Sequence, residues 1–200
     1  TGNIPGLENL KSADLMIIFA RFRALPDDQM RMIDDYIQSG RPVIGLRTST
    51  HAFRFPADST SIYRQYDFQS KTWDGGFGRQ VLGETWKGHH GVHKVQSTRG
   101  VILPQMKDHP IVRGVENIWG PTDVYVVTLP MLPSCKPLVL GQVLTGMKPT
   151  DEPVVGEFVQ KTARGEVRKT PNDPMMPVAW INTFNTNSGK SARVFNTTMG

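Results

Sequence analysis

Three imidazoles fall close together in the stretch "KGHHGVHK": His89, His90 and His93. Gly88 and Gly91 argue against a regular helix here. In an extended segment that begins at His89, the side chains of His89 and His93 point to one face and His90 to the other. Zinc takes three or four nitrogen or oxygen ligands and keeps one position open where it is catalytic. His89, His90 and His93 are therefore the candidate metal ligands, and His51 or Asp123 could complete a set with two of them. Without a metal, the same block reads as a hydrogen-bonding element of a glycine-rich loop. His51 and His90 are then the candidate bases, because an imidazole titrates near neutrality.

A second candidate stretch is "GLRTSTHAF", which follows the short apolar run "RPVIGL". Arg47 stands two residues after Gly45. Its guanidinium is always protonated and cannot act as a nucleophile. It can hold an anionic or polyhydroxylated ligand through a bidentate fork, or shape the turn through an ion pair. Thr48, Ser49 and Thr50 offer hydroxyls, with Ser49 the candidate substrate contact. Adjacent Ser and Thr after a strand equally cap a helix or close a turn. Asp123, in "PTDVY", is the carboxylate to place near the histidines, or else a capping residue. Trp86, beside the histidine block, is the tryptophan best placed to stack on a sugar ring. Trp180 sits in a hydrophobic run and reads as core. His109 precedes a proline and reads as the start of a turn.

These residues need a scaffold. "ADLMIIFA" is an apolar run of strand length, suited to burial on both faces. "LPDDQMRMIDDYIQSG" follows, with Pro26 in the first turn, two Asp near the positive end of the helix dipole, and Met30, Ile33 and Ile37 on one stripe. "RPVIGL" is a second strand, so the start of the chain is a βαβ unit with a parallel sheet. "SIYRQYDF" and "FGRQVL" suggest short helices within a loop-rich segment. "GVHKVQS", "DVYVVTLP" and "PLVLGQVL" are expected strands, and "HPIVRGV" a short helix or turn. "TARGEVRKTPNDPMM" reads as an exposed loop or hairpin. "PVAWINTF" and "ARVFNTTM" are strands joined by the turn "NTNSGKS". The expected class is α/β, one domain with a mainly parallel sheet and an antiparallel portion late in the chain. In such sheets ligands bind beyond the carboxyl ends of the strands, where "RTSTH" sits.

Composition narrows the function classes. The net charge of +5 is modest and its Lys and Arg are scattered, so nucleic acid is not expected as a partner. No apolar run reaches the ~18 residues of a membrane span, and a soluble protein is expected, cytoplasmic or exported. The first residues lack a signal-peptide pattern. The lone cysteine, Cys135, rules out an internal disulfide and a multi-cysteine metal site, and "PSCKP" reads as the setting of an inert thiol. The chain lacks an initiator Met and ends at "RVFNTTMG", which reads as a processed chain or a fragment.

The ordered blocks "ADLMIIFA…RPVIGLRTSTHAF", "FGRQVLGETWKGHHG", "DHPIVRGVENIWGPTDVY" and "PVAWINTF…RVFNTTMG" together resemble the ThuA-like (trehalose utilisation) family, of the class I glutamine amidotransferase-like superfamily. The resemblance implies a flavodoxin-like sheet flanked by helices. It also implies that the family's first strand and helix, and its extreme C-terminus, are missing here. The superfamily's nucleophilic cysteine corresponds to Arg47, so glutaminase activity is not expected. A role in the metabolism of trehalose or a related disaccharide is implied, through acid–base or metal-assisted chemistry on an oxidised sugar. His51, His90 and Asp123 would act catalytically, and Arg47, Ser49, Trp86 and His89 would contact substrate. A divalent metal such as zinc is the candidate cofactor. The expected partners are a small sugar and, in an assembly, further copies of the chain. The other reading is a non-catalytic module that binds a sugar or a protein.

Overall fold

The computed structural model describes residues 2–162 and 165–200. Contacts divide the chain into two units. The first comprises Thr1–Trp86, Thr128–Lys136 and Ile181–Thr197; the second comprises Lys87–Val127, Pro137–Trp180 and Thr198–Gly200.

In the first unit, β1 (Met16–Ile18), α1 (Asp27–Gln38) and β2 (Val43–Leu46) form the expected βαβ unit. Pro26 stands at the helix entrance with Asp27 and Asp28 in the first turn, where the unpaired amides favour negative charge. Met30, Ile33, Tyr36 and Ile37 make the buried stripe. Each such apolar side chain contributes about 1.5–3 kcal/mol by leaving water. Gly40, at φ 80°, takes the left-handed conformation that ends the helix. β1 and β2 run parallel, Met16 opposite Val43. β2 runs parallel to β9 (Ser191–Thr197), Gly45 opposite Asn196. The core is built from α1, these strands, Phe53, Tyr66, Phe77 and Leu82.

β1 departs from the two-faced burial expected of it. Met16 and Ile18 are buried, while Leu15, Ile17 and Phe19 are exposed. Successive side chains of a strand alternate between its faces, so one face of β1 is turned to the core and the other is left largely uncovered among the described residues.

The second unit holds β3 (Thr98–Ile102), β4 (Trp119–Gly120), β5 (Lys136–Val143) from Pro137 onward, and the first half of β8 (Met176–Asn185). β3 pairs antiparallel with β4 and with β5, Thr98 facing Gly120 and Val143. Leu138, Val143, Val178 and Trp180 are buried. The close approach of β5 and β8 requires Gly141, where a Cβ would lie 2.4 Å from Val178. β6 (Phe158–Thr162) and β7 (Gly165–Lys169) pair antiparallel with Phe158 opposite Lys169. This is the hairpin read from "TARGEVRK", whose Ala163 and Arg164 lie outside the described residues.

β8 contributes residues to both units, and the strands are ordered β1-β2-β9-β8 in the first and β8-β5-β3-β4 in the second. The sheet is mixed: β1, β2 and β9 are parallel, β3, β4 and β5 antiparallel. The mainly parallel, helix-flanked arrangement is therefore met only in part. One regular α-helix occurs among the described residues. "SIYRQYDF" yields only a 3-10 turn at Arg64–Tyr66, and "FGRQVL" a π-type turn at Gly78–Leu82. "GVHKVQS" is a turn rather than a strand, and among the described residues "DVYVVTLP" pairs only through a bridge at Tyr125. No helix among the described residues is long and apolar enough to cross a membrane.

Candidate functional site

His89, His93 and Asp123 come together in the second unit. Asp123 Oδ2 lies 2.6 Å from His89 Nδ1, and its Oδ1 lies 2.8 Å from His93 Nδ1. The carboxylate has no exposed side-chain surface, whereas the two imidazole side chains are 37% and 52% exposed. The two rings lie 4.6 Å apart at 33°. An ionised carboxylate only accepts, so each Nδ1 donates its proton. In a neutral ring held this way the other lone pair sits on Nε2.

Local backbone positions this trio. His89 bridges Tyr125 in antiparallel fashion, and the His90 N–H donates to Val124 O at 2.8 Å. Strand-like pairing thus holds the start of the histidine block beside Asp123. The turn that carries His93 is closed by Val95 N–H and Gln96 N–H on Val92 O. Gln96 Oε1 accepts the Val92 N–H at 2.7 Å. Gly91 packs closely here: a Cβ there would lie 3.3 Å from Gln96 Oε1 and 3.5 Å from Asp123 Cβ. Lys94 takes φ 62° to complete the turn. From β7, Lys169 Nζ donates to the His89 carbonyl at 2.9 Å. Burial lowers the Lys169 pKa, and the negative charge of Asp123 opposes that shift.

His90 turns away from the trio. Its Nε2 lies 2.8 Å from Pro171 O, and since a carbonyl only accepts, Nε2 carries the proton. Burial lowers its pKa, the bond to Pro171 opposes this, and Lys169 adds a smaller lowering. The expected set of His89, His90 and His93 thus becomes His89, His93 and Asp123. Among the described residues, these three are the group of His, Cys, Asp and Glu whose ligand atoms all lie within 4.8 Å of one another.

The other expected site residues lie in the first unit. Arg47 is buried and takes φ 42°, a left-handed backbone that an arginine rarely adopts. Ser49 is wholly buried, and its hydroxyl is shared between Ile18 O at 2.7 Å and Leu46 O at 2.9 Å. Those bonds close the turn and hold the hydroxyl against two backbone carbonyls. His51 is 3% exposed and packs on Phe22 and Trp86 with ring centroids 5.0 Å away in each case. Its Nδ1 lies 3.3 Å from Thr50 Oγ1. This is the environment of a core histidine. Trp86 is half-buried in the same aromatic cluster with Phe68. Cys135 is buried near Gly83 O and Asn182 Oδ1, and burial pushes its thiol up to about 11.

Sequence reading alone did not single out Lys169 or Gln96. Gln96 carries no chemical signature, and Lys169 stands eighty residues from His89. The wide separation leaves no local pattern to find.

Two solved structures share this fold. A Bacteroides uniformis protein described as ThuA-like superposes with TM-score 0.53 at 13% identity, over 97% of this chain and 62% of its own. A ThuA-like protein of Parabacteroides merdae superposes with TM-score 0.52 at 14% identity, over 96% of this chain and 61% of its own. The chain therefore spans about three fifths of either neighbour. No protein-family profile and no curated protein matches the sequence.

Proposed function

We propose that this chain, with the fold of ThuA-like proteins, processes an oxidised disaccharide by acid–base chemistry at His89 and His93. The observation that carries the reading is the buried Asp123 carboxylate shared between the two Nδ1 atoms. A carbonyl on the sugar acidifies the neighbouring C–H. One imidazole Nε2 removes that proton, and the glycosidic C–O bond on the next carbon breaks as the C=C bond forms. The leaving oxygen takes a proton from the second imidazole in its charged form. Water then adds across the double bond, and the net result is hydrolysis. Positioned acid–base groups of this kind contribute about 10²–10⁴-fold.

The test is release of free monosaccharide from trehalose oxidised to the ketone at C3 of one ring, which acidifies the C2–H and leaves the glycosidic bond on the next carbon. His93→Gln should lower turnover by roughly 10²–10⁴-fold. No release by the unaltered chain, or equal release by the variant, contradicts the reading.

A cleft in the first unit favours a second reading, a sugar-binding module without chemistry. Its volume is about 490 Å³, and Gln38, Gln65, Gln80, Asn185 and Asn187 line it beside Trp73. Amides pair with sugar hydroxyls, and an indole face covers a sugar ring. Trehalose binding that is lost in Trp73→Ala and kept in His93→Gln, without any product, selects this reading over the first.

A further inference from the structure

The geometry points to a divalent-metal site, most suited to zinc, formed by His89, His93 and Asp123 through their Nδ1 and carboxylate oxygen atoms. The inference concerns the same residues as the proposed chemistry but does not require that the substrate be a sugar.

The ligand chemistry is that of zinc. Two imidazoles and one carboxylate are three nitrogen and oxygen ligands, the number that a catalytic zinc takes from its protein, with a fourth position left for water. The spacing from His89 to His93 is His-x3-His, within the range common between paired histidine ligands of zinc. A tetrahedral ion with bonds of about 2.0–2.1 Å sets its ligand atoms about 3.3 Å apart. Asp123 Oδ2 is already 2.6 Å from His89 Nδ1 and its Oδ1 2.8 Å from His93 Nδ1, and one ligand atom from each of the three residues lies within 4.8 Å of the others. An outward movement of about half an ångström opens the space that an ion of this kind needs.

The surroundings suit the exchange. A metal-free trio satisfies Asp123 with two N–H donors. When an ion binds at the Nδ1 atoms, each neutral ring moves its proton to Nε2, so the ion enters without expelling net charge from the rings. Asp123 is sealed from solvent while both rings are partly open, which places the carboxylate on the protein side and the open position toward water. The supporting bonds already hold the ligands: Lys169 on the His89 carbonyl, and Gln96 across the turn that carries His93. Mg²⁺ prefers all-oxygen ligands and retains its waters, so it is a poor fit.

The test uses the whole chain, stripped of metal with a chelating resin and titrated with zinc chloride against a chromophoric chelator. One zinc per chain is expected, with Kd in the micromolar range or tighter. His89→Gln and His93→Gln should each weaken binding by at least 100-fold, His109→Gln should leave it unchanged, and magnesium should not compete. Absence of stoichiometric uptake, or uptake indifferent to both substitutions, overturns the inference. If either variant misfolds by circular dichroism, cobalt(II) added to the unaltered chain decides. Selective NMR broadening of the His89 and His93 ring protons supports the site, and broadening elsewhere alone overturns it. Zinc uptake without sugar turnover keeps the site and defeats the sugar reading; turnover by a chain that binds no zinc does the reverse.

Discussion

Asp123 Oδ2 and His89 Nδ1 stand 2.6 Å apart across thirty-four residues of sequence, with the carboxylate sealed from solvent. Its other oxygen serves His93 in the same way. A buried carboxylate is tolerated because both oxygens accept charge-assisted bonds. The same bonds decide which nitrogen of each ring faces away from the carboxylate.

Asp123→Asn keeps the shape but replaces one acceptor with an N–H₂ donor that meets an Nδ1–H. One ring must change tautomer or leave. Loss of the charge-assisted bonds should cost about 1–3 kcal/mol, read by urea unfolding. A variant as stable as the parent would mean that the carboxylate is not bonded as described.

Gly45→Ala tests how closely β2 and β9 approach. A Cβ at Gly45 would lie 2.3 Å from the Asn196 side-chain amide and 2.8 Å from Leu82 Cδ1. Overpacking of this kind costs about 1–3 kcal/mol, or a melting temperature lower by about 3–10 °C for a chain of this size. Calorimetry of the variant checks this, and an unchanged transition would contradict the packing.

Cys135 should resist thiol reagents at pH 8 in the folded protein and react promptly once unfolded in urea. Burial holds its thiol protonated up to about 11, above the ordinary value near 8.5. The folded state therefore binds the proton more tightly than the unfolded one. The resulting stability is complete below about pH 8.5 and is lost as pH rises from there toward about 11. Urea titrations of the parent and Cys135→Ala between these limits should converge by that amount. Fast labelling of the native thiol would contradict its burial.

The βαβ start of the chain is legible because its signals are local. The Pro26–Asp27–Asp28 entrance, the Met30–Ile33–Ile37 stripe and the Gly40 stop each act within a turn or two. The hairpin between β8 and β9 is legible for the same reason: Thr186 N–H meets Lys190 O at 2.8 Å around Gly189 at φ 80°. The histidine block is only half legible. Its alternation suggests a strand, but Gln96 captures the Val92 N–H and bends residues 92–96 into a turn. The opposed directions of His89 and His90 follow from extended backbone at that point, whereas the place of His93 follows from the turn. Asp123 is recognisable as a carboxylate partner by type alone, and nothing near it in sequence shows that it serves two rings. The buried state of Ser49 and His51 depends on Ile18, Phe22 and Trp86, which come from other segments.

The most direct measurement of the central claim is a long-range ¹H–¹⁵N spectrum of the imidazoles in metal-free protein near neutral pH. His89 and His93 should both carry their proton on Nδ1, and at least one ring should lose this pattern in Asp123→Asn. Protons on Nε2 of both rings in the unaltered chain would contradict it.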